Sequence, residues 1–414
     1  MTTSSFGWLD HDDGERRRMM EVINLFREKG TLDELGIGTI RDTYAERFFP
    51  GTSTIQSRAR YFLFIPWLYR QVESERVSSN RADKRARELQ WRIVQSLTAG
   101  GEGPNAGVIG IEAGENIQRL PSTIYWQGLR RWGIRLFEGS TERYHASLDG
   151  YYREERAVKS SDGGELLDSA HRNWFGSLPP APNTLLAETT FALTLDEAEF
   201  LSERIRRSCG DSLLAACLTP SVTRKRQAHA PWDLGGLDSL SIGLRQDIDD
   251  ARRYSLVMEG AILLYNCMLA ELASERALSL SEDRIERYGL ALDRWADEMT
   301  GIHEELRNWD RPAFWGRLRL LNPRIPPGAI QFSESWIQLA IQGPRSVRDN
   351  EVARTLIHNR ESRLKGTLAR LANPRALERW SGESGVGRLT YRWGNAKRIL
   401  LDILDGLRQP AGTL

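Results

Sequence analysis

Two spacings and one carboxylate within an apolar run are the features of this 414-residue chain whose residue types could do chemistry. Ser362 and Lys365 have S-x-x-K spacing, which on a helix places a hydroxyl and an amine on one face, as a lysine-activated serine nucleophile requires. That stretch is rich in Arg and Glu, so a solvated surface is the simpler reading. His358 and Glu361 have the three-residue spacing that begins a metal site, but no third ligand stands nearby, and a surface hydrogen bond accounts for them. Glu259 interrupts a run that is apolar almost all round from Leu256 to Leu272. A carboxylate buried there needs a partner such as Arg58 or Arg130, or else it serves as a general base.

Positive charge offers a different chemistry. The chain carries a net charge of only +1, so it is no general polyanion binder. Charge is unevenly divided, however. From Gly343 to Leu414 there are 14 basic and 7 acidic residues, from Arg41 to Arg92 there are 11 and 6, and from Glu188 to Glu305 there are 13 and 22. In the first of these, leucines and isoleucine at 356, 357, 364, 368 and 371 are expected to face inward and to leave Arg354, Arg363, Lys365 and Arg370 outward as a phosphate track. Arg392 and Lys397 complete the candidate nucleic-acid-binding set. A plain solvated face and an acidic protein partner are the alternatives. Between Leu35 and Gln71, arginines 41, 47, 58, 60 and 70 alternate with eight aromatic residues. The mixture suits base stacking, but its apolar density reads as core, with Arg58 and Arg60 in internal ion pairs.

Most catalytic motifs are missing. There is no Gly-Lys dipeptide for a phosphate-cradling loop, no HExxH, no GxSxG elbow, and no pair of the six histidines at metal-ligand spacing. No metal and no cofactor are therefore expected. Three cysteines without metal spacing fit a reducing cytoplasm. The first twenty residues lack an apolar stretch of signal type. The apolar run Ser255–Leu272 reads as too short and too polar to span a bilayer. The expectation is a cytoplasmic protein without membrane contact.

The elements that position these residues are helical. Apolar spacing predicts helices over Asp10–Lys29, Ile40–Phe48, Ser57–Arg76, Asn80–Leu97, from a Ser122 cap onward, Asp196–Arg207 with Thr194 and Glu197 as a capping box, Asp247–Ala273, Ser281–Arg307, Ser333–Gln342, Asn350–Ala372 and Asn395–Leu407. The stretch Asn308–Gly328, with four prolines, is expected to be irregular. SSDGG and SLPPAPN between 158 and 184 mark a boundary. The reading is an all-α or predominantly α protein of two packed subdomains, 1–160 and 185–414, with long irregular connections.

Blocks spread along the chain carry a resemblance: FGWLDHD, LGIGTIRD, FPGTSTIQSRARYFLFIPWLY, RLPSTIYWQGLRRWGI, FALTLDEAEFLSERI, MEGAILLYN, ARLANPRALERWSG and LTYRWGNAKRILLDI. With them the chain resembles a bacterial domain-of-unknown-function family, DUF family 6361, from end to end. The family supplies no catalytic residues to carry over. The resemblance implies an antiphage defence context, and hence an accessory or scaffold subunit that contacts DNA and a larger helicase- or nuclease-like partner. An enzyme with an unrecognised site, foremost a nuclease, and a protein-interaction module without nucleic-acid contact are the rival expectations.

Overall fold

A computed structural model describes residues 33–111, 119–159, 172–276 and 283–410. The described residues are 65% helical and hold fifteen α-helices and no strand, which is the expected all-α class. In order these are α1 Gly38–Phe48, α2 Tyr61–Ser74, α3 Ser79–Ala99, α4 Pro121–Arg131, α5 Thr141–Lys159, α6 Leu195–Cys209, α7 Leu213–Cys217, α8 Ile242–Glu275, α9 Asp283–Gly301, α10 His303–Arg307, α11 Arg311–Leu321, α12 Pro327–Gln342, α13 Glu351–Lys365, α14 Pro374–Leu377 and α15 Trp393–Gly406. The helix expected over Asp10–Lys29, the cap at Ser281 and the SSDGG segment lie outside the described residues.

Where the helices depart from expectation, a specific contact explains it. Helix α2 starts at Tyr61 rather than Ser57, because the Ser57 and Arg58 amides donate to the Tyr125 hydroxyl at 2.8 and 3.0 Å instead of entering a helix. Ser122 is not a cap. Pro121 opens α4 at the position where a missing N–H costs nothing, and the Ser122 amide donates to Gln90 Oε1 at 2.8 Å. The stretch expected to be irregular contains α11. Asp310 caps it through the Ala313 amide, and Pro312 lies in its first turn. Helix α13 stops at Lys365, seven residues early, where Gly366 takes φ +53°. The capping box of α6 forms as expected from Thr194 and Glu197.

The chain packs into two compact units. The first comprises Met1–Thr43 with Asp250–Leu389, the second Tyr44–Asp249 with Thr390–Leu414. The expected boundary at 160–185 falls inside the second.

Unit one is organised on α8. The indoles of Trp295 and Trp336 each donate to a carbonyl of this helix, at Leu256 and Val257, both at 2.8 Å. Gly260 admits them: a Cβ there would lie 2.3 Å from the Trp295 ring. Helix α8 has 34 residues and is long and apolar enough to cross a membrane, with a mean hydropathy of 1.5 over its most apolar stretch. The expectation that the run was too short and too polar is corrected on that point. What makes α8 a core helix is burial, since 83% of that stretch is enclosed.

Unit two closes around α2. Its aromatic residues are core, as in the Phe62–Trp132 stack with centroids 3.7 Å apart. Both arginines before it are spent internally. Arg58 holds Asp402 through two N–H···O contacts of 2.9 Å and lies over the Phe191 ring, while Arg60 pairs with Glu197 at 2.8 Å.

Candidate functional site

A buried group of ionisable side chains in unit one forms where four segments of chain meet. Asp33 caps α1 by accepting from the Ile37 and Gly38 amides at 2.7 and 2.9 Å, and this turn points the neighbouring Glu34 inward. Tyr265 enters from the middle of α8. Glu361 and Lys365, one turn apart on α13, enter together, because a four-residue spacing puts both on one face. Arg370 comes from the segment after α13.

Glu34 and Glu361 are both essentially without solvent exposure, at 1% and 0%. Lys365 contacts Glu34 directly and lies 3.1 Å from Glu361. Arg370 Nη1 lies 2.9 Å from Glu34 and 2.8 Å from Ser384 Oγ. The Tyr265 hydroxyl donates to Glu361 at 2.5 Å, and the amides of Arg370 and Leu371 donate to the same carboxylate at 3.0 and 2.9 Å. Asn266, beside Tyr265, exchanges two hydrogen bonds with the Ser384 backbone and fixes that last segment.

Two carboxylates thus face two cations, and their formal charges cancel. Burial pushes the Glu361 pKa up, but the bonds from Tyr265, the Leu371 amide, Lys365 and the Arg370 amide together hold it below the usual value. Burial and two flanking carboxylates drive the Tyr265 pKa far above its ordinary value, so its proton stays on the phenol. A cluster with its donors and acceptors matched in this way holds segments together rather than moving protons.

These contacts reverse the expected phosphate track. Lys365 and Arg370 point inward, whereas Leu364 and Leu368 are exposed at 44% and 56%. Arg354 is half-buried, paired with Glu271 at 2.6 Å and bonded to the Arg348 carbonyl. Arg363 alone of the four faces solvent. Arg392 and Lys397 lie in unit two and cap backbone carbonyls, of Thr52 at 3.0 Å and Ala228 at 2.9 Å. Charge-rich helices are read from sequence as amphipathic with charge outward, and here buried carboxylates supplied by other segments pull the cations in.

The other spacings resolve as structure. Glu259 pairs with Arg388 at 2.7 Å, not with Arg58 or Arg130. Lys365 spends its ammonium on two carboxylates rather than on Ser362. His358 and Glu361 join no group of three or more potential metal ligands among the described residues.

Sequence reasoning missed Glu73. In unit two its Oε1 accepts from the Tyr144 hydroxyl at 2.5 Å, Asn173 Nδ2 at 2.8 Å and the Trp174 indole at 3.2 Å. Burial raises its pKa, against the pull of these three neutral donors. It adjoins an open cleft of about 690 Å³ through Asn173. Nothing local in the sequence marks it, because its partners lie 71 to 101 residues away.

Both sites tie their charged groups into the helical framework of the described residues. The chain belongs to the family of unknown function DUF6361, which it matches over residues 3–406. No curated protein and no solved structure matches it.

Proposed function

We propose that the protein is a non-catalytic, architectural subunit of a bacterial antiphage assembly, holding a larger helicase- or nuclease-like partner and meeting DNA beside it. The observation that carries this reading is the closed cluster of Glu34, Tyr265, Glu361, Lys365 and Arg370. It ties together segments up to 336 residues apart in sequence and leaves its charges cancelled, the economy of a rigid support rather than of a reaction centre. Among the described residues of unit one, six large apolar side chains are exposed, with Leu320 at 86% and Val352 at 64%, and give a partner something to cover. Co-expression with the adjoining genes and light scattering on the purified material test the reading. A complex of fixed stoichiometry with a larger partner is expected, and the isolated chain with DNA, ATP and divalent metal should leave both substrates unchanged. Turnover by the isolated chain would overturn it.

A second reading, an enzyme, is favoured by Glu73, whose raised pKa and position beside a cleft suit a general acid. Turnover lost in a stably folded Glu73→Gln variant would establish it.

A further inference from the structure

The loop Pro220–Gln227 and the end of α15 enclose a groove of about 360 Å³ in unit two. Its rim carries Arg224, Lys225, Arg226 and Arg408, no acidic residue lines it, and Leu401 and Leu404 form an apolar floor. The exposed carboxylate of Asp405 adjoins the groove, and both Arg226 and Arg408 reach it. Four cations against one carboxylate leave a local surplus of +3 in a chain whose total is +1. The Arg224 guanidinium has no ion pair or hydrogen bond among the described residues.

The loop is held rigidly at its base. Thr223 and Gly235 exchange backbone hydrogen bonds of 2.9 and 3.1 Å. The Trp393 indole and the Lys397 ammonium, both from α15, donate to the Ala228 carbonyl at 3.0 and 2.9 Å. Arg224 itself sits at φ +58°, a left-handed conformation that a non-glycine residue adopts at a cost, and its carbonyl accepts from the Gln227 and Ala228 amides to close the turn. The cations are thus presented on a fixed frame. Burial lowers the Lys225 pKa, and the neighbouring Arg408 lowers it further.

We propose that this groove binds the phosphodiester backbone of a nucleic acid, with Arg224, Arg226 and Arg408 as the phosphate contacts. This deepens the DNA contact of the reading above. Asp405 marks where an anionic oxygen sits between Arg226 and Arg408, and the Arg224 guanidinium on the same loop is left for the next phosphate. Cations contributed by two separate elements suit an anionic backbone, and the apolar floor suits a sugar ring lying between phosphates. The basic stretch that sequence analysis selected, around α13, is not this one. Lys397 alone of that set belongs here, and it acts by fixing the loop.

The test uses the full chain with Arg224→Gln, Arg226→Gln and Arg408→Gln combined, and Arg319→Gln as a control that removes an exposed charge elsewhere. Anisotropy of a labelled single strand and of a labelled duplex is followed from about 50 to 200 mM salt. Each lost contact flattens log affinity against log salt by about 0.7 on a single strand and 0.9 on a duplex, so the triple variant should lose about 2 to 3 in slope while the control keeps it. Unchanged melting and unchanged complex size with the partner establish that the fold is intact. Equal affinity and slope in the triple variant would overturn the groove, even if the partner complex forms normally. Saturation by inorganic phosphate with no nucleic-acid binding would overturn it in favour of a small phosphate ligand. Groove-dependent nucleic-acid binding by a chain that never assembles with a partner would keep this inference and remove the architectural one.

Discussion

Replacing Lys365 with methionine removes one ammonium from a cluster whose two carboxylates are 0–1% exposed, and keeps nearly the same length of side chain. The cluster then carries a net −1, with Arg370 alone facing Glu34 and Glu361. Removing one partner of a buried ionic group costs about 3–5 kcal/mol, because the remaining charge is left uncompensated away from water. For a unit of this size that corresponds to a fall in Tm of roughly 6–20 °C. The acid limb should move as well. Glu361 has a folded pKa below its ordinary value, so it contributes stability that is complete above the unfolded pKa of about 4.3 and is lost as pH falls through the folded value. Without Lys365 that folded value rises and acid unfolding begins at higher pH. Differential scanning calorimetry from neutral pH downward, on wild type, Lys365→Met, Glu34→Gln and the double variant, measures both effects. The double variant restores neutrality and should recover much of the loss, giving a coupling near the upper end of the 0.5–3 kcal/mol range. A Lys365→Met protein within about 1 kcal/mol of wild type, less than removing a buried partner costs, would refute the argument that these charges hold unit one together.

Three further outcomes follow from the packing. Gly260→Ala should lower stability by about 1–3 kcal/mol in spite of the roughly 1 kcal/mol helix-propensity gain of alanine, because the new methyl would lie 2.3 Å from Trp295; a rise in urea midpoint would contradict it. Glu73→Gln should leave the fold intact and flatten the pH dependence of stability. A carboxyl with a raised folded pKa contributes stability that is present below about pH 4.3 and lost as pH rises through the folded value, and a steep acid-side gain surviving in the variant would count against this assignment. Cys209, Cys217 and Cys267 are buried, and burial pushes the last two thiols up to about 12, so at pH 8 their thiolate fraction is about one in ten thousand. None should react with a thiol reagent until the chain is denatured, and rapid labelling of one cysteine in the native protein would show the packing around it to be wrong.

The fold was legible in sequence wherever its cause was local. The apolar run of α8 and the Thr194–Glu197 box needed only neighbours a few residues away, and both formed as read. Helix α11 was hidden because the four prolines of the stretch Asn308–Gly328 read as breakers, although Asp310 before Pro312 is an opening signal. The cluster in unit one was half visible. The four-residue spacing of Glu361 and Lys365 was in plain sight, but Glu34 lies 331 residues from Lys365 and no periodicity connects them. The expectation that leucines turn inward and cations outward around α13 failed for the same reason. Which face is buried depends on what the rest of the chain brings to it, and here it brings carboxylates.

That separation also orders events in time. During synthesis at roughly 5–20 residues per second, Glu34 leaves the ribosome about 15 to 65 seconds before Lys365 exists to meet it. All of Tyr44–Asp249 is made in the interval and can settle first, apart from the closing segment Thr390–Leu414. Glu34 therefore waits in water, and a nascent chain arrested short of α13 presents Tyr265 and the apolar flank of α8 without the segment that covers them. The length of that wait, rather than the strength of any single contact, sets how long that flank of α8 stays uncovered on the ribosome.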